Sequence, residues 1–348
     1  MPPQRVNRPR PRWYAAFMTI AWLVPVLSSC DGIESSLPAA PSSGSDPKFP
    51  SQPQQASPDA GRLLGFWGMR EPEISDASAI GTNSCQVGNA NPVDALRQLD
   101  DAAALGIRCS FNIVGGHKWY RDADGDFSLD MYLARVDRFW TKAQENGVRQ
   151  RLLDHVAAGK WWGSMLLDDL GLIGRPTVEE IDAMAGQNKK YAPGLSTYVR
   201  DRATKLPPGT YRILDAVMAQ YRANMGNHVG WADDEIAAAR ARNIPVVIFS
   251  LQALNGGSGE SGQGGSLPGR WAMSADEIRR YGREFLARPE AAGLYAWEFD
   301  EDEVLASGCA SNDYWMDRCG ADSGSRADAW RELRDLADSV PARSLLRH

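Results

Sequence analysis

The chain reads as an α/β protein built as an eight-stranded (β/α)8 barrel, and three observations predict it. Short apolar runs alternate with stretches of helical periodicity along most of the sequence. The runs are nearly continuous in apolar residues, as strands buried on both faces are, which points to parallel strands joined by helical crossovers. Two of them stop in carboxylates: Trp161 to Leu167 runs into Asp168 and Asp169, and Gly293 to Trp297 into Glu298 and, after Phe299, Asp300. Acidic groups are costly in a core and useful at the C-terminal mouth of a barrel.

Taken in order, strands are expected at Leu63 to Met69, Ile107 to Val114, Trp161 to Leu167, Leu195 to Val199, Tyr211 to Met218, Ile244 to Leu251 and Gly293 to Phe299. That is seven where a barrel needs eight, and the missing one is sought between Val114 and Trp161. Helical periodicity covers Pro92 to Leu105, Leu129 to Trp140, Gly147 to Ala158, Trp231 to Arg242 and Ser274 to Ala287. Thr177 with Glu180, and Ser274 with Glu277, have the capping-box spacing of helix starts.

The first residues address compartment. Arg5, Arg8, Arg10 and Arg12 precede an apolar stretch from Trp13 to Leu27, too short and too Pro-interrupted for a membrane span and suited to a signal-peptide core. It ends in Leu27-Ser28-Ser29-Cys30, which resembles a bacterial lipoprotein signal with Cys30 as the lipidated residue; an ordinary signal peptide or an uncleaved anchor is the alternative. Residues 1–29 are thus expected to be the signal, 30–60 a Ser-, Pro- and Gln-rich tether unable to bury enough apolar surface to fold, and 61–348 the barrel. The expected location is the bacterial cell envelope, held to its membrane through Cys30.

Composition narrows the partners. A net charge of −6 without basic clusters argues against nucleic acid. For an exported chain, Cys85 with Cys109 and Cys309 with Cys319 are expected as disulfides, with free buried thiols as the alternative. His117, His155, His228 and His348 share no ligand spacing, so no metal is expected. Asp122 to Asp126 starts like a calcium loop, but its Gly comes early and Leu133 occupies the place of the bidentate Glu, so a turn is the better reading. Gly257-Ser258-Gly259-Glu260-Ser261-Gly262 spells a dinucleotide fingerprint, yet no helix begins there; a flexible loop rimming a pocket is expected, and no cofactor.

Glu298 and Asp300, two apart in a strand, share a face, whereas Asp168 and Asp169 point oppositely in a regular strand, so that only one of them reaches the pocket. Carboxyls across a cleft suit glycosidic cleavage, one giving a proton and the other attacking or activating water. The same acids could instead pair with Arg200 or Arg202. Twelve tryptophans supply candidate sugar platforms, with Trp67, Trp119, Trp161, Trp162, Trp271 and Trp297 near strand ends and loops.

The chain resembles a group of bacterial exported proteins with a glycosidase-like TIM barrel, in which one apolar strand ends in Asp-Glu-Pro and a later one in Trp-x-Tyr-Asp. The corresponding segments here are Met165-Leu166-Leu167-Asp168-Asp169-Leu170 and Trp297-Glu298-Phe299-Asp300, and Leu214-Asp215-Ala216, Ala219-Gln220-Tyr221, Gly256-Gly257 and Trp271-Ala272-Met273-Ser274 also match. The likeness spans Leu64 to Asp300 and implies a carbohydrate substrate. Asp169 stands at the acid position, one methylene shorter than the Glu of the group, and Leu170 replaces the Pro. With Asp169 as general acid, Glu298 or Asp300 is the nucleophile or base; Asp168, Asp215, Gln220, Tyr221, Asn112, Arg200, Trp67 and Trp297 are expected around the substrate. A non-catalytic carbohydrate binder on the same scaffold is the alternative, and a structural lipoprotein with all acids paired a third.

Overall fold

The computed structural model describes residues 61–69, 71–172, 174, 176–262, 264–265, 269–297 and 323–340. The expectations placed on the signal, on Cys30 and the tether, on Glu298 and Asp300, and on Cys309 and Cys319 lie outside the described residues.

Eight strands close a barrel in chain order: β1 (Leu63–Trp67), β2 (Ser84–Gly88), β3 (Arg108–Asn112), β4 (Trp161–Asp168), β5 (Ser196–Arg200), β6 (Ala216–Tyr221), β7 (Val246–Leu251) and β8 (Ala291–Trp297). Every pair is parallel, and β1 closes on β8 with Trp67 beside Trp297. All C-terminal strand ends therefore gather at one mouth. Among the described residues the α-helices are α1 (Glu71–Ala79), α2 (Pro92–Ala104), α3 (Leu129–Glu145), α4 (Arg149–Ala157), α5 (Val178–Tyr191), α6 (His228–Ala241), α7 (Ala275–Leu286) and α8 (Ser323–Ser339). Both expected capping boxes start helices, Thr177 at α5 and Ser274 at α7.

The eighth strand is β2, and the segment between Val114 and Trp161 holds α3 and α4 instead. Ser84-Cys85-Gln86-Val87-Gly88 carries no apolar run because its inward residues are polar: the Ser84 hydroxyl bonds the Tyr295 hydroxyl and accepts from Trp162 Nε1 at 3.0 Å inside the barrel. Gly65 gives the Tyr295 ring its room, since a Cβ there would stand 2.8 Å from Tyr295 Cε1 and 2.5 Å from the Ser84 carbonyl oxygen. Cys85 and Cys109, register partners on β2 and β3, form a disulfide, with Cα atoms 4.5 Å apart.

Between β5 and β6 there is no α-helix, only a 3-10 turn (Ala203–Lys205) and a loop through Pro207 and Pro208. The strand expected from Tyr211 accordingly starts at Ala216. The amides of Arg212, Ile213 and Leu214 donate to the Asp182 carboxylate of α5 at 2.6, 3.0 and 3.1 Å, so they are not available to a ladder. On the other side, α8 packs over β1, its Trp330 ring 4.7 Å from Phe66 and its Nε1 donating to Thr82 Oγ1 at 3.2 Å.

Candidate functional site

The inward positions nearest the mouth are Trp67 on β1, Asn112 on β3, Asp168 on β4, Arg200 on β5, Gln220 on β6, Ser250 on β7 and Trp297 on β8, as the pairings Asp168 with Arg200, Gln220 with Ser250, and Trp67 with Trp297 require. Six of these residues were expected around a substrate.

Which of the two adjacent acids faces inward is decided by a β-bulge. With Met165 inward opposite Tyr198, a regular strand would send Leu167 and Asp169 inward too. The register shift between Met165 and Leu167 moves the alternation by one residue, so Leu167 joins the outer core and Asp168 turns inward beside Arg200. Asp168 then forms an ion pair with Arg200, whose guanidinium carbon lies 4.2 Å from the centroid of the Trp67 ring. Burial lifts the Asp168 carboxyl above the usual range against the pull of Arg200. The pairing weighed as the alternative for these acids is thus present for Asp168.

Asp169 follows the strand end with φ +48, in the left-handed region, and is exposed; its amide donates to the Arg200 carbonyl at 2.9 Å. Its carboxyl has no hydrogen-bond or ion-pair partner among the described residues. It acts electrostatically on Asp168, on Asp201 and on Arg222, which places it toward the ends of β5 and β6. Asp201, buried enough for its carboxyl to be lifted, accepts from the Leu170 and Arg202 amides at 3.1 and 2.7 Å and fixes the turn that presents Asp169.

Several expected residues do other work. Asp215 precedes β6, at the end of the barrel away from the mouth; fully buried, it accepts from Lys189 Nζ at 2.7 Å, the Thr197 amide at 2.8 Å and Thr197 Oγ1 at 3.0 Å. Tyr221, adjacent to inward Gln220, faces the helices, donates to the Gly226 carbonyl at 2.6 Å and packs on Trp231 and Tyr281, with ring centroids 5.0 Å away in each case. Asn112 is at the mouth, but its side chain accepts from the Val114 and Gly115 amides and donates to the Gly115 carbonyl, so it shapes the loop after β3. Trp161 and Trp162 open β4 at the far end: Trp161 stacks on Trp140, and Trp162 on Tyr198 inside the barrel.

The rim loops are ordered by specific contacts. Asp122 Oδ1 accepts from the Asp124 and Asp126 amides at 3.0 and 2.9 Å, so the acidic run is a turn. The glycine-rich loop, expected to be flexible, is tied down: the Gly257 amide donates to the Trp271 carbonyl at 2.8 Å and the Ser258 amide to Glu277 Oε1 at 2.8 Å, while a Cβ on Gly257 would collide with the Ala272 carbonyl. Trp119 and Trp271 remain exposed on these loops.

Reading the sequence did not single out Ser250, Gln252 or Arg222. The signal was present for the first two, since Ser250 and Gln252 break an apolar run at a two-residue spacing, as Glu298 and Asp300 do. With Trp67, Gln220 and Trp297 they share a property: Trp67 Nε1, Gln220 Nε2, Ser250 Oγ, Gln252 Oε1 and Trp297 Nε1 are buried polar atoms without a hydrogen-bond partner among the described residues. A buried polar atom left unbonded costs about 1–3 kcal/mol. Five of them at the ends of the neighbouring strands β6, β7, β8 and β1 line one side of the mouth with unused donors and acceptors.

No family model and no curated protein matches the chain. Among solved structures it is similar to the GH113 β-mannanase AaManA from Alicyclobacillus acidocaldarius in complex with ManMIm, at 13% identity and TM-score 0.48, over 78% of this chain and 97% of that one. It is also similar to a GH5 subfamily 18 protein from Bifidobacterium longum subsp. longum in complex with Manβ1-4GlcNAc, at 12% identity and TM-score 0.48, over 81% of this chain and 80% of that one. A β-glucuronidase from an uncultured Clostridium sp. aligns at 11% identity and TM-score 0.49 over 79% of this chain and 50% of its own length, so the chain spans half of that protein. At these values the likenesses carry no argument about ligand or reaction, which rests on the side chains.

Proposed function

We propose that the mouth of the barrel is a carbohydrate site, and the observation that carries this reading is the arc of unbonded polar atoms on Trp67, Gln220, Ser250, Gln252 and Trp297 along one side of it. A ligand dense in hydroxyl groups satisfies amide, hydroxyl and indole N–H groups at once, and its apolar faces lie against indole rings. The chemistry proposed there is glycosidic hydrolysis. Asp169, whose carboxyl is engaged by no described residue, is the general acid; Glu298 or Asp300, which follow β8 in sequence, supplies the second carboxylate. Binding without turnover is the second reading. It is favoured by the commitment of Asp168 to Arg200 and by amides, not carboxylates, on Gln220 near the end of β6 and on Gln252 just past β7.

Calorimetric titration with a panel of neutral oligosaccharides tests the site. Gln220→Leu and Gln252→Leu should each weaken the best ligand by about tenfold, the order of one lost hydrogen bond with its partner left unpaired. Unchanged affinity in both variants contradicts the placement of the site.

We further propose that the protein is a lipoprotein anchored through Cys30, with residues 30–60 as the tether. Expressed in a bacterial host, it should incorporate labelled fatty acid and partition with membranes, and Cys30→Ala should lose the label. Equal labelling of the variant refutes the anchor.

A further inference from the structure

Arg222 is the first residue after β6 and follows directly on the aromatic cluster around Tyr221. Its Nε is buried without a hydrogen-bond partner, and its guanidinium makes no ion pair with any described residue. The stem is held in place from the loop side. The Ala223 amide donates to the Gly256 carbonyl at 2.7 Å, and the loop passes beside the arginine there: a Cβ on Gly256 would collide with the Gln252 carbonyl oxygen and stand 3.3 Å from Arg222 Cγ. The charged groups that act on Arg222 are Arg270, Asp169 and Arg200.

Among the described charged groups that act on Arg222 the balance is positive, in a chain whose net charge is −6. Arg200 is neutralised by Asp168. That leaves Arg222 and the exposed Arg270, neither of them paired with a described residue, near the Asp169 carboxylate, which no described residue engages. Burial and Arg270 both push the Arg222 guanidinium below its ordinary value, a direction that an incoming anion would reverse. A half-buried cation without a partner is costly, and a guanidinium offers a planar fork of donors suited to a carboxylate or another oxyanion.

We propose that the carbohydrate taken by this mouth carries an anionic group, a carboxylate or a sulfate, and that Arg222 is the residue that receives it. The inference rests on the carbohydrate reading above and narrows it to acidic sugars. In the bound arrangement the sugar hydroxyls meet Gln220 and Gln252, and the charged substituent turns toward Arg222 on the β6 side, with Arg270 adding long-range attraction.

The test is calorimetric titration of the whole barrel with three sets of oligosaccharides of equal length: neutral hexose oligomers, uronate oligomers and sulfated oligomers. The parent should bind one of the two anionic sets at least about tenfold more tightly than the neutral set, with the preference shrinking as salt is raised. Which anionic set wins identifies the substituent. Arg222→Gln should abolish the preference while leaving neutral binding unchanged, and Arg222→Lys, which keeps the charge but not the fork, should retain part of it. Circular dichroism melting confirms that both variants are folded. Equal binding of neutral and anionic sets by the parent, or a preference that survives Arg222→Gln, overturns the inference and leaves the carbohydrate site standing. Binding of none of the three sets overturns both.

Discussion

Replacing Asp169 with Asn is expected to lower turnover of a responsive glycan by at least about a hundredfold while leaving its affinity within about threefold. The substitution keeps the shape of the side chain and removes the transferable proton. Asp169 suits this test because its carboxyl is exposed at the mouth and engaged by no described residue, so its loss leaves no buried partner stranded. Its φ of +48 is a conformation Asn adopts as readily as Asp, so the turn survives the change. The neighbouring Asp168 is a poor substitute as the acid, since its carboxyl is already paired with Arg200. A variant that turns over as fast as the parent removes Asp169 from the chemistry. A parent that hydrolyses nothing across a broad glycan panel, while binding some of it, leaves the binding reading in its place.

The second large effect is on stability. Asp215→Ala should destabilise the barrel by about 3 kcal/mol, because it breaks an ion pair whose carboxylate is fully buried and strands the Thr197 amide. The estimate sits at the low end for buried pairs because Lys189 keeps 21% of its side-chain surface and can rehydrate. Asp215→Asn should recover part of the loss, since its oxygen can still accept from Thr197. Urea unfolding measures both, and a change below about 1 kcal/mol for Asp215→Ala contradicts the assignment. Glycan affinity should stay unchanged in the Asn variant, because five residues of β6 at about 3.3 Å each separate position 215 from the Gln220 layer, roughly 16 Å in all.

The barrel was legible where strands are apolar on both faces, as in Trp161 to Leu167 and Ile244 to Leu251. It was not legible at β2, whose inward residues Ser84 and Gln86 hydrogen-bond within the barrel and so interrupt the pattern. Nor was it legible at Tyr211 to Leu214, where an extended, partly apolar stretch gives its amides to Asp182. At the mouth, Gln220, Arg200, Trp67 and Trp297 were expected from the resemblance and from their places at or near strand ends, not from alternation. Alternation could not say which of Asp168 and Asp169 turns inward, because that depends on a bulge set by pairing with β5. Asp215 was misjudged for a related reason: a polar residue beside an apolar run marks a strand end, but only the strand boundary says which end. Arg222 carries no sequence signal, since an unpaired arginine differs from a paired one only in its surroundings.

The crystal structure of the Asp169→Asn variant with its tightest oligosaccharide bears most directly on the carbohydrate site. Sugar hydroxyls are expected within about 2.7–3.2 Å of Gln220 Nε2 and Gln252 Oε1, with a sugar face against Trp297 or Trp67. An oligosaccharide bound elsewhere, with those atoms meeting only water, would contradict that site.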